Sequence, residues 1–158
     1  MTEKSTVKKI IITAIEIEKR LADIYRDFNK RFSADDRIGP FWHSMAEEEA
    51  THADFLLNEL AMMKVTPESF GDLTIGIESL NKTQEKISEI EDRIKNTDIT
   101  LIEAVNIAIT LENEIVEKKY ASIINLKSSA LKKIFAELTT DTTKHAETLS
   151  LLSRRLKK

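Results

Sequence analysis

From Ile11 to Phe32 apolar residues return every three or four positions, through Ile15, Leu21, Ala22, Tyr25 and Phe28. That spacing lays one apolar stripe along about six turns of α-helix, and a stripe this long has to be covered by other helices. The chain has few means of interrupting such segments, since its 158 residues include three Gly and two Pro while 32% are charged. The expectation is an all-α protein, a single domain over residues 1–158, long enough to bury a continuous core without staples.

The missing residue types narrow the chemistry. There is no cysteine, which excludes disulfides, thiol catalysis, Cys-ligated zinc and iron–sulfur or rubredoxin-type centres. Any metal must be held by Glu, Asp and His. A formal charge of −3 recruits no nucleic acid, and the basic Arg154–Lys158 tail complements a helix dipole. No apolar run approaches the roughly 18 residues needed to span a bilayer. Met1 to Lys9 is too polar to be a cleavable leader. A soluble, cytoplasmic protein without a membrane partner is expected.

The periodicity predicts a first helix from about Ser5 to Phe32. Ser33 to Asp36 supplies turn and N-cap residues, and Pro40 is tolerable in a first turn, so a second helix is predicted from about Asp36 to Met63. Trp42, Met45, Leu56 and Leu60 mark its buried side. Thr66-Pro67-Glu68 and Gly71 end that hairpin. The chain from there to Asp98 carries a shorter amphipathic helix, about Ile77 to Lys95, whose charges from Lys82 onward form a solvated face. Such a connection is too long for a turn and implies a crossover between two hairpins. Thr100-Leu101-Ile102-Glu103 is a capping box that starts a third long helix, running to about Leu126. After a break at Lys127-Ser128-Ser129, a fourth runs from Ser129 to Leu156. The hairpins read as copies: a shift of 94 lays Glu18 on Glu112, and a shift of 93 lays His52 on His145, Trp42 on Phe135, Ala53 on Ala146 and Leu56 on Leu149.

Each long helix also breaks its own stripe with an ionisable residue. Glu49 and His52 lie about 60° apart on one helix face, within the arc of Met45 and Leu56. Glu18 is flanked by Ile15, Leu21 and Ala22, Glu112 by Ala108 and Ile115, and His145 by Leu138 and Leu149. Isolated carboxylates buried there would cost several kcal/mol, so they must be neutralised, paired or bound to a cation. No Lys or Arg shares these arcs. Oxygen and nitrogen donors without sulfur suit iron or manganese. Glu47 and Glu48 are expected mainly on the solvated side, and His43 on the opposite surface. Tyr25 reads first as a core aromatic bonding a buried carboxylate, and second as a redox-active neighbour of a metal.

Three stretches, Ala14-Ile15-Glu16-Ile17-Glu18 with Tyr25, Ala46-Glu47-Glu48-Glu49-Ala50-Thr51-His52-Ala53, and Ala108-Ile109-Thr110-Leu111-Glu112, resemble the ferritin-like superfamily, specifically rubrerythrin-like di-iron carboxylate proteins. The pattern of one Glu from each of two helices and a Glu-x-x-His from each of the other two is the general one for such bundles. The resemblance implies a ferritin-like four-helix bundle of two hairpins joined by a long crossover with a short helix. It implies two iron ions, or manganese or another divalent metal in their place. Glu18 and Glu112 would be terminal ligands, Glu49 a bridge, and His52 and His145 one nitrogen on each ion. It also implies homodimers.

The fourth helix departs from the pattern. Where a Glu is expected three residues before His145 stands Thr142, and Asp141, one position earlier, is the nearest substitute for the missing bridge. Ile115 stands where peroxide-reducing relatives often carry a further Glu. The implied activity is reduction of O₂ or peroxide, with an external electron donor, or ferroxidase and iron handling. The alternative is a degenerate bundle, metal-free or with a single metal, acting as a structural or interaction module, in which Thr142, Tyr25 and the histidines satisfy the buried carboxylates.

Overall fold

The computed structural model describes residues 3–65, 77–114 and 129–157. Among them are five helices and no strand: α1 (Glu3–Phe32), α2 (Phe41–Val65), α3 (Ile77–Asn96), α4 (Leu101–Glu114) and α5 (Ser129–Leu156). The described residues form an all-helical bundle, as the periodicity predicts. The most closely packed pairs are α1 with α2 and α4 with α5, which are the two expected hairpins. The turn signals at 66–71, the continuation of α4 beyond Glu114 with Ile115, and the break at 127–128 lie outside the described residues.

α1 buries more of its circumference than a single seam requires. Ile10, Ile11, Ala14, Ile15, Ile17, Leu21, Ile24, Tyr25 and Phe28 are all buried, because α1 has α2 on one side and α3 on another. α3 supplies Leu80, Ile87, Ile90 and Ile94 to the same core. At its edge Arg20 pairs with Glu91, Gln84 donates to Glu16 at 3.0 Å, and the Arg31 guanidinium donates to the Ile94 carbonyl at 2.8 Å. The crossover helix is therefore a packed wall of the bundle. Its outer charges remain solvated, as expected.

The start of α2 differs from the expectation. Residues 36–40 form turns, and the helix begins at Phe41. Gly39 takes φ +52°, which a right-handed helix does not contain. Before it, the Asp35 carboxylate accepts from the Arg37 backbone N–H at 3.0 Å and from its guanidinium at 2.6 Å. The reciprocal capping box at α4 is present: the Thr100 and Glu103 side chains each accept from the other's backbone N–H at 3.2 Å.

An aromatic cluster anchors the α1–α2 hairpin. Trp42 stacks on Tyr25 with centroids 5.9 Å apart and meets Phe28 edge-on at 5.0 Å. This cluster sits beside the polar residues of the core and fixes the side chain that touches them. The Phe135 side chain, its expected counterpart on α5, lies outside the described residues.

Candidate metal centre

Glu18 on α1, Glu49 and His52 on α2, Glu112 on α4 and His145 on α5 converge in the bundle interior, none more than 7% exposed. Glu18 arrives there because Ala14, Ile15, Leu21 and Ala22, one turn before and after it, are buried; Glu49 and His52 lie between buried Met45 and Leu56, Glu112 follows buried Ala108, and His145 lies between buried Leu138 and Leu149, so these helices cannot turn their polar residues outward without exposing the stripe. Their donor atoms form two groups: Glu18, Glu49 and His52, and Glu49, Glu112 and His145. Within each group the atoms lie within 4.8 Å of one another, and both groups contain Glu49.

The histidines point Nδ1 inward. His52 Nδ1 lies 3.7 Å from Glu18 Oε2 and 3.5 Å from Glu49 Oε2. His145 Nδ1 lies 3.3 Å from Glu49 Oε1 and 3.6 Å from Glu112 Oε1. None of these approaches makes a well-formed hydrogen bond. Both Nδ1 atoms, Glu49 Oε1 and Glu112 Oε2 are buried without a hydrogen-bond partner, a costly arrangement unless something sits among them.

Two carboxylates hold the outer edges of the imidazoles. His52 Nε2 lies 3.0 Å from Asp141 Oδ2, and His145 Nε2 contacts Glu48 Oε2. A proton kept on Nε2 and donated outward leaves the Nδ1 lone pair facing the cluster, the arrangement that orients a metal-binding imidazole. The two contacts mirror each other, α5 supporting the histidine of α2 and α2 supporting that of α5. Asp141, the expected substitute for the missing bridge, belongs to neither donor group here and lies instead on the outer nitrogen of His52. Glu48 is exposed, as expected, with its side chain 52% accessible, and its carboxylate also reaches His145. The register shift of 93 that lays His52 on His145 also lays Glu48 on Asp141, so the signal was present in the sequence.

Thr142 and Tyr25 complete the surroundings. The Thr142 hydroxyl is turned back onto its own helix and donates to the Leu138 carbonyl at 2.7 Å, so it does not donate to any carboxylate of the cluster. The Tyr25 hydroxyl donates to Glu112 Oε1 at 2.6 Å and is fully buried, the arrangement of its first reading. Lys119 and Tyr120, the residues at and beside Tyr25's counterpart in the second hairpin, lie outside the described residues.

Electrostatics follows from this crowding. Burial, and then the charges of Glu18 and Glu112, push the Glu49 carboxyl up to about 8. Burial pulls the His52 imidazole down, but Glu18 and Glu49 outweigh it and hold it up at about 11. For His145 burial again opposes, and Glu112 and Glu49 raise it to about 11. Burial and then Glu112 raise the Tyr25 phenol well above its usual range. Without a cation the cluster keeps protons. A metal ion entering it displaces them.

A helical bundle whose hairpins both send glutamate and histidine into one shared interior site defines the class of ferritin-like carboxylate bundles. The Rubrerythrin family model matches residues 9–153, and the chain belongs to the rubrerythrin family. Comparisons with curated proteins and with solved structures find no match. No helix among the described residues is long and apolar enough to cross a membrane.

Proposed function

We propose that the chain is a non-haem, two-metal carboxylate protein that binds iron, or manganese or another divalent metal in its place, and acts as an oxidoreductase on O₂ or peroxide. The observation that carries this reading is the sharing of Glu49 by two donor groups whose inward nitrogens have no hydrogen-bond partner. A metal-free bundle would need those atoms to satisfy one another, and the Thr142 hydroxyl is engaged with Leu138 instead. The donors are all nitrogen and carboxylate oxygen, which fits iron or manganese.

Glu18 and His52 would hold one ion, Glu112 and His145 the other, and Glu49 would span both. Iron held there supplies the electron-transfer steps that reduce O₂ or peroxide. The protein's own residues prepare the place. Asp141 and Glu48 keep the imidazoles in the tautomer that presents Nδ1. Tyr25 donates its proton to Glu112 Oε1 and so limits that carboxylate's rotation, while the buried surroundings keep bulk water away. An external electron donor and association into homodimers belong to the same proposal. Oxidation of iron as a substrate is the use of this site that requires no such donor.

Anaerobic loading of the full chain with Fe(II), desalting and iron analysis test the reading. Close to two irons per chain are expected, with a marked loss in His52→Ala. Retention of no iron by the unmodified chain would overturn the proposal. With two irons bound, repeated consumption of peroxide in the presence of a reductant indicates an oxidoreductase, whereas a single round limited by the iron supplied indicates iron oxidation.

A further inference from the structure

The crossover helix α3 packs closely on α1 and far less on α4, and the surface is hollowed between α3 and α4. A groove of about 160 Å³ lies there, lined by Lys86, Ile90 and Arg93 from α3 and by Asn106, Ile107 and Thr110 from α4. Positions 86, 90 and 93 follow one face of α3, and 106, 107 and 110 cover about one turn of α4, so two short stripes oppose each other. The groove shares no residue with the interior cluster.

Its lining is ordered by polarity. Ile90 and Ile107 are buried and close the floor. Lys86 and Arg93 are partly exposed on the α3 rim, where their aliphatic stems extend the apolar lining and their charged ends reach solvent. On the α4 rim the Thr110 hydroxyl donates to the Asn106 carbonyl at 3.1 Å, which leaves the Asn106 carboxamide as the neutral donor on that side. None of the six lining residues is acidic. The carboxylates paired with the two cations stand off from them: Glu89 is 3.7 Å from Lys86 Nζ, and Glu103 is 3.8 Å from the Arg93 guanidinium. Both distances are too long for hydrogen bonds, and solvent-exposed pairs of this kind cost little to separate. Glu103 Oε2 also accepts from the Thr100 backbone N–H at 3.2 Å. Both cations therefore have donors to offer an incoming anion.

Size narrows the class of ligand, since an apolar cavity of about 150 Å³ holds a molecule as large as benzene. We propose that this groove binds a small organic carboxylate whose apolar body is about the size of a benzene ring. The body lies on Ile90 and Ile107. Arg93, beside Glu103 on α4, stands at the end of the groove nearer Asn106, so the carboxylate meets the guanidinium fork and the carboxamide there. Lys86, two turns earlier on α3, adds attraction from the other end. The site requires no metal, and a ligand in it would join α3 to α4, which carries Glu112.

The test is a titration of the full metal-free chain with sodium benzoate at constant ionic strength, followed by amide chemical shifts in nuclear magnetic resonance. Saturable shifts are expected at residues 86–93 and 106–110. Benzyl alcohol has the same body without the charge, and acetate the same head without the body; each should bind about tenfold more weakly or worse. Arg93→Gln keeps most of the stem and removes the fork, and should weaken benzoate binding by about the same factor, with a smaller loss in Lys86→Gln. Both substitutions are on the surface, and circular dichroism checks that the helices are unchanged. Shifts that grow in proportion to benzoate without saturating would overturn the inference. So would saturation at other residues, the interior cluster included, equal affinity for benzyl alcohol, or full affinity in Arg93→Gln.

Discussion

The support given to each imidazole comes from a single carboxylate on another helix. Asp141→Asn keeps the shape and a hydrogen-bond acceptor for His52 Nε2 but removes the charge that favours its protonation. Metal affinity should fall about tenfold to a hundredfold with the helix content unchanged, as read by competition with a chromophoric chelator and by circular dichroism. An unchanged affinity would mean that the contact at 3.0 Å is incidental. Tyr25→Phe tests the other support. It leaves Glu112 Oε1 buried without its donor at 2.6 Å, and a buried bond to a carboxyl contributes about 2 kcal/mol. Urea unfolding of the metal-free protein should show a loss of about that size. A negligible loss would mean that Glu112 finds another partner.

The helices themselves depend on local signals of different visibility. The α1 stripe and the Thr100–Glu103 box could be read directly, because the residues that make them are neighbours on one helix. The start of α2 could not, because Pro40 and the polar residues before it suit a first turn as well as a loop, and the positive φ of Gly39 settles the matter only once the chain is folded. That glycine offers a test free of packing effects. A Cβ built on it meets no atom within 4 Å, so Gly39→Ala should cost only the left-handed backbone penalty, about 1 kcal/mol. Chemical denaturation measures this. A neutral result would show that the turn relaxes to negative φ at no cost.

Across the molecule, the centre draws on α1, α2, α4 and α5, so whatever occupies it ties the two hairpins together. Protons and metal compete for that place. His52 and His145 are raised from 6.5 to about 11. Groups raised in this way contribute stability that is fully present below their unfolded value and is lost as pH rises through the folded one. Glu49, raised from 4.5 to about 8, acts in the same sense, its contribution lost as pH rises through about 8. The metal-free protein should therefore melt lower at about pH 9 than at about pH 6, and the gain on adding metal should widen over the same interval. Calorimetry with and without Fe(II) under anaerobic conditions gives both slopes. A metal-free melting temperature that rises with pH would contradict this placement of the protons.

The sequence by itself determined the helices, the nitrogen-and-oxygen donor set and its five inward members, because each of these is written in a periodicity of three or four residues along one segment. An ionisable residue inside an apolar stripe is visible without any partner. The tertiary structure decided which atoms meet. Glu48 lies among acids on a polar face; the shift of 93 pairs it with Asp141, but that its carboxylate reaches His145 across the seam to α5 appears only in the folded chain. Asp141 stood near the expected place, yet its carboxylate meets the outer nitrogen of His52, and Thr142 turns its hydroxyl away from the cluster. These outcomes depend on the crossing and register of helices far apart in the chain, which are settled only when both hairpins pack around one core.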